Sequence, residues 1–157
     1  MGNYDVIVKL VAPVRVLALT EEVPGDGTDG AIGPAQGRLW PRLHERLDQL
    51  GVDFAPPSIA REIGSDPISL TTGLPVPDDI EDQVDGFETI ELPGIDRVAA
   101  TVIHGDPNYD EAVRTLRQWI IEAGETATGE YREVYLDCDG PRDTWVVELQ
   151  LALTPRA

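Results

Sequence analysis

The same order of predicted segments occurs twice along the 157 residues of the chain. Apolar residues at helical spacing predict one helix in each half, "GRLWPRLHERLDQLG" and "NYDEAVRTLRQWIIEAG". Alternating residues predict the strands "DVIVKL", "VRVLALT", "IAREIG" and "ISLTTGLPV" in the first half, and "FETIELPG", "RVAATVIHG", "YREVYLDC" and "TWVVELQLAL" in the second. Pro41 implies that the first helix starts near Leu39 or is kinked. The repeated strand-helix-strand-strand module predicts an α+β fold.

Matching residues indicate that the two halves are related. Arg15-Val16 matches Arg97-Val98, Trp40 matches Trp119, Gly51 matches Gly124, and Arg61-Glu62 matches Arg132-Glu133. In the same register Thr71 falls opposite Glu148. We therefore expect a single domain, with pseudo-repeat halves at about 4–77 and 87–153 and a linker at 78–86. The two modules are expected to form one curved antiparallel sheet, with both helices on one face and a ligand cleft between the halves.

Charge and cysteine content narrow the possible functions. Twelve Lys and Arg residues against 29 Asp and Glu give a formal charge of −17, which repels nucleic acid phosphates and anionic membrane surfaces. The same charge favours a cationic ligand or a basic protein partner. Cys138 is the only cysteine, which excludes an intrachain disulfide and a thiolate-rich zinc or iron–sulfur site. The N-terminal apolar run is too short for a signal peptide or a membrane helix, so we expect a cytoplasmic protein.

Other catalytic and cofactor sites lack their sequence patterns. His44 lies on the predicted first helix and His104 ends a strand, and neither has a partner at metal-ligand spacing. Two aspartates flank Cys138, which should raise the pKa of its thiol and disfavour a reactive thiolate. The glycine-rich loop at 25–33 lacks the lysine of a phosphate loop and the glutamate of a calcium loop. We therefore expect no metal and no cofactor.

The last strand predicts which residues share a face of the sheet. In "TWVVELQLAL", Trp145, Val147, Leu149, Leu151 and Leu153 fall on one side, and Val146, Glu148 and Gln150 on the other. Because the helices must cover the apolar sides of the strands, Glu148 is predicted on the uncovered face. By the same parity, the strand "YREVYL" should direct Val134 and Leu136 to the core, and Tyr131, Glu133 and Tyr135 to the face of Glu148. A cleft on that face would be lined by aromatic rings and carboxylates.

The second half of the chain resembles a known family. Its segments "FETIELPGIDRVAATVIHGDPNYDEAVRTLRQWIIEAG", "YREVYLDC" and "WVVELQLAL" resemble the GyrI-like small-molecule-binding domain, found alone or as the effector-binding part of AraC-type and MerR-type regulators. The likeness is good over 87–153 and weaker over 4–77. It implies a duplicated strand-helix-strand-strand fold with a cleft in which a carboxylate engages cationic, aromatic, drug-like ligands. By motif position, it implies that Glu148 is this carboxylate and Tyr135 the cleft tyrosine.

Several further residues are candidates for the cleft. The aromatic candidates are Trp145, Tyr135, Tyr131, Trp40 and Tyr4, and Glu133 is the second acidic candidate. Core packing is the expectation for Trp40, Trp119 and Trp145, because each lies on the apolar face of its helix or strand. In the repeat register Thr71 and Gly73 fall opposite Glu148 and Gln150, where they either contact a ligand or only leave room for one.

Three functions stay open for such a chain. The first is binding of a hydrophobic, cationic or polyaromatic small molecule, with Glu148 and Tyr135 as central contacts. The second, implied by the resemblance, is hydrolysis of cyclopropane-bearing DNA-alkylating natural products, for self-resistance or detoxification. Glu148 would then be the general base, and Tyr135 would position the water or donate a proton. The third is an acidic protein-interaction module of the gyrase-inhibitor type. No helix-turn-helix precedes residue 87, so we expect no direct contact with nucleic acid.

Overall fold

The computed structural model of the chain describes residues 4–26, 30–84, 86–105 and 109–156. The strands are β1 Ile7–Val11, β2 Val14–Val23, β3 Ser58–Ile63, β4 Ile68–Pro75, β5 Glu88–Leu92, β6 Ile95–His104, β7 Ala127–Asp137 and β8 Val146–Leu153. The helices are α1 Ile32–Leu50 and α2 Tyr109–Glu122, and a short 3-10 helix spans Arg142–Thr144. The strands pair antiparallel within each of the two units described below, so the predicted α+β class is confirmed. Residues 27–29 of the glycine-rich loop, Asp85 of the linker and Asn108 of the second predicted helix lie outside the described residues.

Helix α1 is longer than the sequence predicts. It begins at Ile32, upstream of the expected start near Leu39, and Pro41 lies inside it. A proline in a helix removes one backbone donor and leaves the carbonyl four residues earlier without its usual partner. Both Pro41 and Gly37 are exposed, so water can hydrate that carbonyl and the helix continues through the proline.

Residues 13–93 form one compact unit, called the N-terminal unit below. Its strands have the order β3-β4-β2-β5, and α1 packs on β2 and β4. Leu39, Leu43 and Leu47 recur at helical spacing and are buried. The strands contribute the buried residues Val16, Leu17, Leu70 and Leu74. This pattern is that of an amphipathic helix covering one face of a sheet.

Residues 1–12 and 94–157 form a second compact unit, called the C-terminal unit. Its strands have the order β1-β6-β8-β7, and α2 packs on β6 and β8. Strand β8 is buried on both faces from Val147 to Leu153. The prediction that Glu148 lies on an uncovered face of β8 is therefore wrong. Part of its burial comes from a small apolar cluster in which Val11 and Ile95 pack on Val98, Ala100 and Ala152.

The first strand of each chain half pairs with a strand of the other half. Strand β1 pairs with β6, and β5 pairs with β2. Each unit therefore combines a strand-helix-strand-strand module with one strand from the opposite half. The two compact units thus differ in composition from the halves 4–77 and 87–153, because β1 and β5 are exchanged between them.

The predicted linker at 78–86 is attached to the N-terminal unit. Arg15 Nη2 donates to the Ile80 carbonyl at 2.9 Å. Arg46 donates to both carboxylate oxygens of Asp82, from Nε at 2.7 Å and from Nη2 at 2.8 Å. The Asp82 N–H donates to Thr89 Oγ1 at 3.3 Å, and the Asp82 side chain is buried. The segment is therefore held by charge-assisted hydrogen bonds.

Thr71 and Gly73, two predicted ligand contacts, have packing roles in β4. The Thr71 and Thr20 hydroxyls are hydrogen-bonded to each other at 3.0 Å. A Cβ added at Gly73 would lie 2.8 Å from Val16 Cγ2, closer than side-chain atoms can approach. Gly73 therefore leaves room for the Val16 side chain on the neighbouring strand.

Asp82→Asn should lower the free energy of unfolding by roughly 1 to 3 kcal/mol at neutral pH, because it breaks the charge-assisted pair with Arg46. The hydrogen bonds from Arg46 hold the pKa of Asp82 below its ordinary value of 3.8. The folded pKa is depressed, so the pair stabilises fully above pH 3.8 and its contribution is lost as the pH falls through the lower, folded value. Urea unfolding of the wild type and the variant across this range checks the prediction. A difference that persists in strong acid contradicts it.

Gly73→Ala should destabilise the protein by roughly 1 to 3 kcal/mol, the usual cost of overpacking a core. Val16→Ala removes the two methyl groups that the new Cβ meets but keeps the Val16 Cβ, which lies 2.9 Å from it, so the cost of Gly73→Ala should fall only in part in a Val16→Ala background. A double-mutant cycle measured by urea unfolding tests this coupling. Strictly additive costs would show that the two positions do not interact.

Candidate functional site

Glu148, the predicted central carboxylate, is buried in β8 and already has a cationic partner. Lys9 Nζ lies 2.7 Å from Glu148 Oε1, and Gln150 Nε2 donates to the same oxygen at 2.6 Å. The Glu148 side chain is 7% exposed, whereas that of Lys9 is 39% exposed. The ion pair neutralises the carboxylate, so Glu148 presents less attraction to an external cation than an unpaired carboxylate would.

The pairing of β7 with β8 corrects the predicted face. Val134 lies opposite Glu148, and Glu133 lies opposite Leu149. Tyr131 and Tyr135 lie opposite Leu151 and Val147. Residues directly opposite each other on antiparallel strands point to the same side of the sheet. Tyr131, Glu133 and Tyr135 therefore lie on the other side from Glu148, and the prediction that they share its face is wrong.

The two other β7 assignments change with the register. Val134, expected in the core, is half-buried on the Glu148 side, and Leu136 is exposed. Arg132 lies opposite Gln150 and is buried, and its Nε donates to Glu130 at 2.8 Å. Side chains alternate along "YREVYL" as predicted, but which of its two sets faces the pocket depends on the register with β8, which the segment itself does not encode.

Glu133 is the carboxylate at the centre of an aromatic cluster. Tyr131 Oη donates to Glu133 Oε2 at 2.7 Å, and Tyr135 Oη donates to Glu133 Oε1 at 2.5 Å. Glu133 is 7% exposed. Within the described ranges, no lysine or arginine forms an ion pair with it. Two neutral hydroxyls thus satisfy both oxygens of a buried carboxylate and leave its charge uncompensated.

Burial keeps the neighbouring phenols protonated. Burial raises the pKa of Tyr135 well above its ordinary value, and the negative charge of Glu133 raises it further. The pKa of Tyr109, the first residue of α2, is also raised, mainly by burial and then by Glu133. Both groups therefore remain neutral hydrogen-bond donors at physiological pH.

A pocket of about 230 Å³ is connected to this cluster through Trp145; Tyr131, Glu133 and Tyr135 are not part of its lining. It is lined by Ile103, Gly105, Tyr109, Arg142, Asp143, Trp145 and Val147. Trp145 connects the pocket to the carboxylate, because its ring meets that of Tyr135 edge to face at a centroid distance of 6.5 Å. Asp143 adds a second carboxylate to the lining. The pocket is thus mostly apolar, with aromatic walls and negative charge close by.

Gly105 allows the turn carrying Arg142 and Trp145 to close against β6. The Gly105 N–H donates to the Trp145 carbonyl at 2.7 Å. Gly105 has a φ of +64°, and a Cβ there would collide with the Asp143 carbonyl oxygen. Only glycine combines this backbone conformation with so close an approach.

The remaining aromatic candidates occupy other positions. Trp40 is half-buried on α1 of the N-terminal unit, and Trp119 is half-buried on α2. Tyr4 is half-buried just before β1. Trp145 lies on the side of Val147, as predicted, but that side lines the pocket. Trp145 therefore lines the pocket, whereas core packing stays a prediction for Trp40 and Trp119.

Sequence reasoning missed two residues of the pocket. Tyr109 starts α2 and Arg142 starts the 3-10 helix, and neither belongs to a pattern that distinguishes a ligand contact from a surface residue. The approach of Arg142 to Tyr109 follows from the fold of the "GPRDTW" turn. No local signal in the sequence predicts it.

The Cys138 thiol is unreactive by environment, as predicted. Burial raises its pKa to about 11, and Asp137 contributes a smaller part of the increase. In the described ranges, no group of three or more His, Cys, Asp or Glu side chains could hold a metal ion. Neither α1 nor α2 has the length and apolar content that crossing a membrane requires.

Comparisons with known proteins show the fold. No family model and no curated protein sequence matches the chain. The EcmrR C-terminal domain matches it with a TM-score of 0.71 at 17% identity, covering 98% of this chain and 99% of that one. SAV2435, solved bound to tetraphenylphosphonium, matches with a TM-score of 0.65 at 13% identity, covering 98% and 94%. A hydrolase from Listeria innocua matches with a TM-score of 0.61 at 13% identity, covering 96% and 92%. The chain therefore has the fold shared by these three proteins.

Proposed function

We propose that the C-terminal unit binds a hydrophobic or polyaromatic small molecule with a cationic group, in the pocket next to Glu133. The observation that carries the proposal is a buried carboxylate that, among the described residues, accepts hydrogen bonds from two tyrosine hydroxyls and has no cationic partner, beside aromatic rings that line a pocket. The negative charge attracts the cationic group of a ligand, and the apolar pocket walls bury the hydrophobic surface of the same ligand.

Charge favours this ligand class at short range and at long range. Glu133 is shielded from water, so its attraction for a nearby cation is stronger than at an exposed surface. Tyr109 and Trp145 present ring faces that attract a delocalised cation. The net charge of −17 adds a general attraction for positive ligands and disfavours nucleic acid. SAV2435, which shares the fold, was solved bound to tetraphenylphosphonium, an aromatic cation, and this supports the proposal.

Binding is better supported than hydrolysis. A hydrolytic site needs a carboxylate oxygen free to accept a proton from water. Both oxygens of Glu133 accept hydrogen bonds from tyrosines, and Lys9 and Gln150 occupy Oε1 of Glu148, which leaves only its Oε2 for this role. The fold shared with a hydrolase does not carry that activity over to this chain, and the GyrI-like resemblance and the role of Glu148 as the central carboxylate stay predictions.

Glu133→Gln should weaken the binding of tetraphenylphosphonium by roughly 1 to 3 kcal/mol, because it removes the negative charge at nearly constant shape. Glu148→Gln is the matched control: it makes the same change in a buried carboxylate of the same unit that already has a cationic partner. Its effect on affinity should be much smaller. Isothermal titration calorimetry measures both, with circular dichroism to confirm folding.

Mass spectrometry of the same mixtures separates the remaining alternatives. Intact recovery of tetraphenylphosphonium and of a cyclopropane-bearing alkylator supports a binding protein. Multiple turnovers of the alkylator, lost in Glu148→Gln, would establish an enzyme and return Glu148 to the centre of the site. Equal losses of affinity in both variants would show that the binding is not governed by Glu133.

A further inference from the structure

Arg142 occupies the aromatic part of the pocket with its own cationic group. Its Cζ lies 5.7 Å from the centroid of the Trp145 ring and 6.0 Å from that of the Tyr109 ring. Among the described residues it forms no ion pair with a carboxylate. The guanidinium therefore lies against two ring faces and is also hydrogen-bonded to the Tyr109 hydroxyl, as a planar cationic ligand would be.

We propose that Arg142 is an internal competitor for the ligand: its guanidinium occupies the position of the ligand's cationic group and leaves when the ligand binds. This inference rests on the proposed function and defines its ligand class more closely. The ligand's cationic group is planar and delocalised, as in an amidinium or guanidinium attached to an aromatic ring. A guanidinium stacks flat on aromatic faces, whereas a compact ammonium is a strongly hydrated point charge.

The turn around Arg142 allows its side chain to move while the pocket walls stay in place. The Pro141 carbonyl accepts hydrogen bonds from the Thr144 N–H at 2.9 Å and from Thr144 Oγ1 at 2.7 Å. The Trp145 N–H donates to the Arg142 carbonyl at 3.2 Å, and the Trp145 indole N–H donates to the Gly140 carbonyl at 3.0 Å. These bonds fix the backbone and the indole. Arg142 itself is exposed, so rotation of its side chain is sufficient to empty the site.

The size of the pocket supports displacement. Its volume of about 230 Å³ is below the range of roughly 300 to 1,000 Å³ that is usual for drug-sized ligands. A single aromatic ring with a small cationic group fits this space. Withdrawal of the Arg142 side chain enlarges the pocket and frees both ring faces. A larger ligand then has room to bind, and a cationic ligand can make the ring contacts that Arg142 made.

The competitor is weakly held. Cation–π contacts at exposed sites are weaker than those shielded from water. Two of them together correspond to roughly a tenfold change in the affinity of a competing ligand. A ligand with the same kind of charge and a larger apolar surface can therefore displace Arg142. A neutral aromatic molecule of equal shape lacks the charge and should displace it poorly.

Benzamidinium and its neutral analogue benzamide are the probes for this proposal. Both are titrated into the wild type, Arg142→Ala, Arg142→Lys and Arg117→Ala, with tetraphenylphosphonium as a second cation. Arg117 is an exposed arginine on α2, so its substitution makes the same change in net charge away from the pocket lining. Calorimetry gives the affinities. NMR of the Arg142 Nε–Hε group reports whether the guanidinium leaves the rings.

Arg142→Ala should bind benzamidinium roughly tenfold more tightly than the wild type, with Arg142→Lys in between and Arg117→Ala close to the wild type. The Arg142 Nε–Hε resonance should move toward its solvent-exposed position as benzamidinium saturates the wild type. If Arg142→Ala binds benzamidinium no more tightly than the wild type, or if the Arg142 Nε–Hε resonance does not move during the titration, Arg142 is not a competitor, and the proposed function is unaffected. Benzamide binding as tightly as benzamidinium overturns the ligand class. Absence of binding of both cations to the wild type and to Arg142→Ala overturns the proposed function itself.

Discussion

The register between β7 and β8 decides which buried groups of the C-terminal unit can meet. With Glu133 opposite Leu149, the side chains of Tyr131, Glu133 and Tyr135 lie on the side of Val147, which lines the pocket together with Tyr109 of α2. A shift by one residue would move all three to the side of Glu148. The proximity of this cluster to Trp145 and the negative charge close to the pocket both depend on this single offset.

The C-terminal unit contains two buried glutamates that are stabilised in different ways. Glu148 is compensated by Lys9, whose ammonium lies 2.7 Å away. Glu133 receives two neutral hydroxyls, which satisfy its hydrogen bonds but not its charge. A buried charge without a counter-ion is costly, so a site of this kind is one where a cation gains affinity. The difference between the two environments, more than the residue type, identifies the candidate site.

Local patterns in the sequence predict a large part of the fold. The spacing of Ala112, Leu116 and Ile120 predicts α2, and the alternation in "TWVVELQLAL" predicts β8. Their order within the repeated module predicts the α+β class. Strand partners are a different matter, because the residues of β1 and β5 do not indicate that these strands pair with β6 and β2. Pairing depends on contacts distant in sequence.

The candidate site was predictable only in part for the same reason. Tyr131, Glu133, Tyr135 and Trp145 were all identified as candidates from their residue types and strand positions. Their grouping away from Glu148 follows from the register, and the Lys9–Glu148 ion pair follows from the pairing of β1 with β6. Arg142 and Tyr109 come together through the turn before β8. None of these contacts leaves a signal in a single sequence.

A crystal structure of the chain soaked with tetraphenylphosphonium tests the central claim most directly. The account predicts the ligand in the place of the Arg142 guanidinium, with its cationic centre over the Tyr109 and Trp145 rings on the side of Glu133, and the Arg142 side chain turned out of the pocket. Ligand density beside Glu148 on the opposite side of the sheet, with Lys9 displaced and the Glu133 cluster unoccupied, would contradict it.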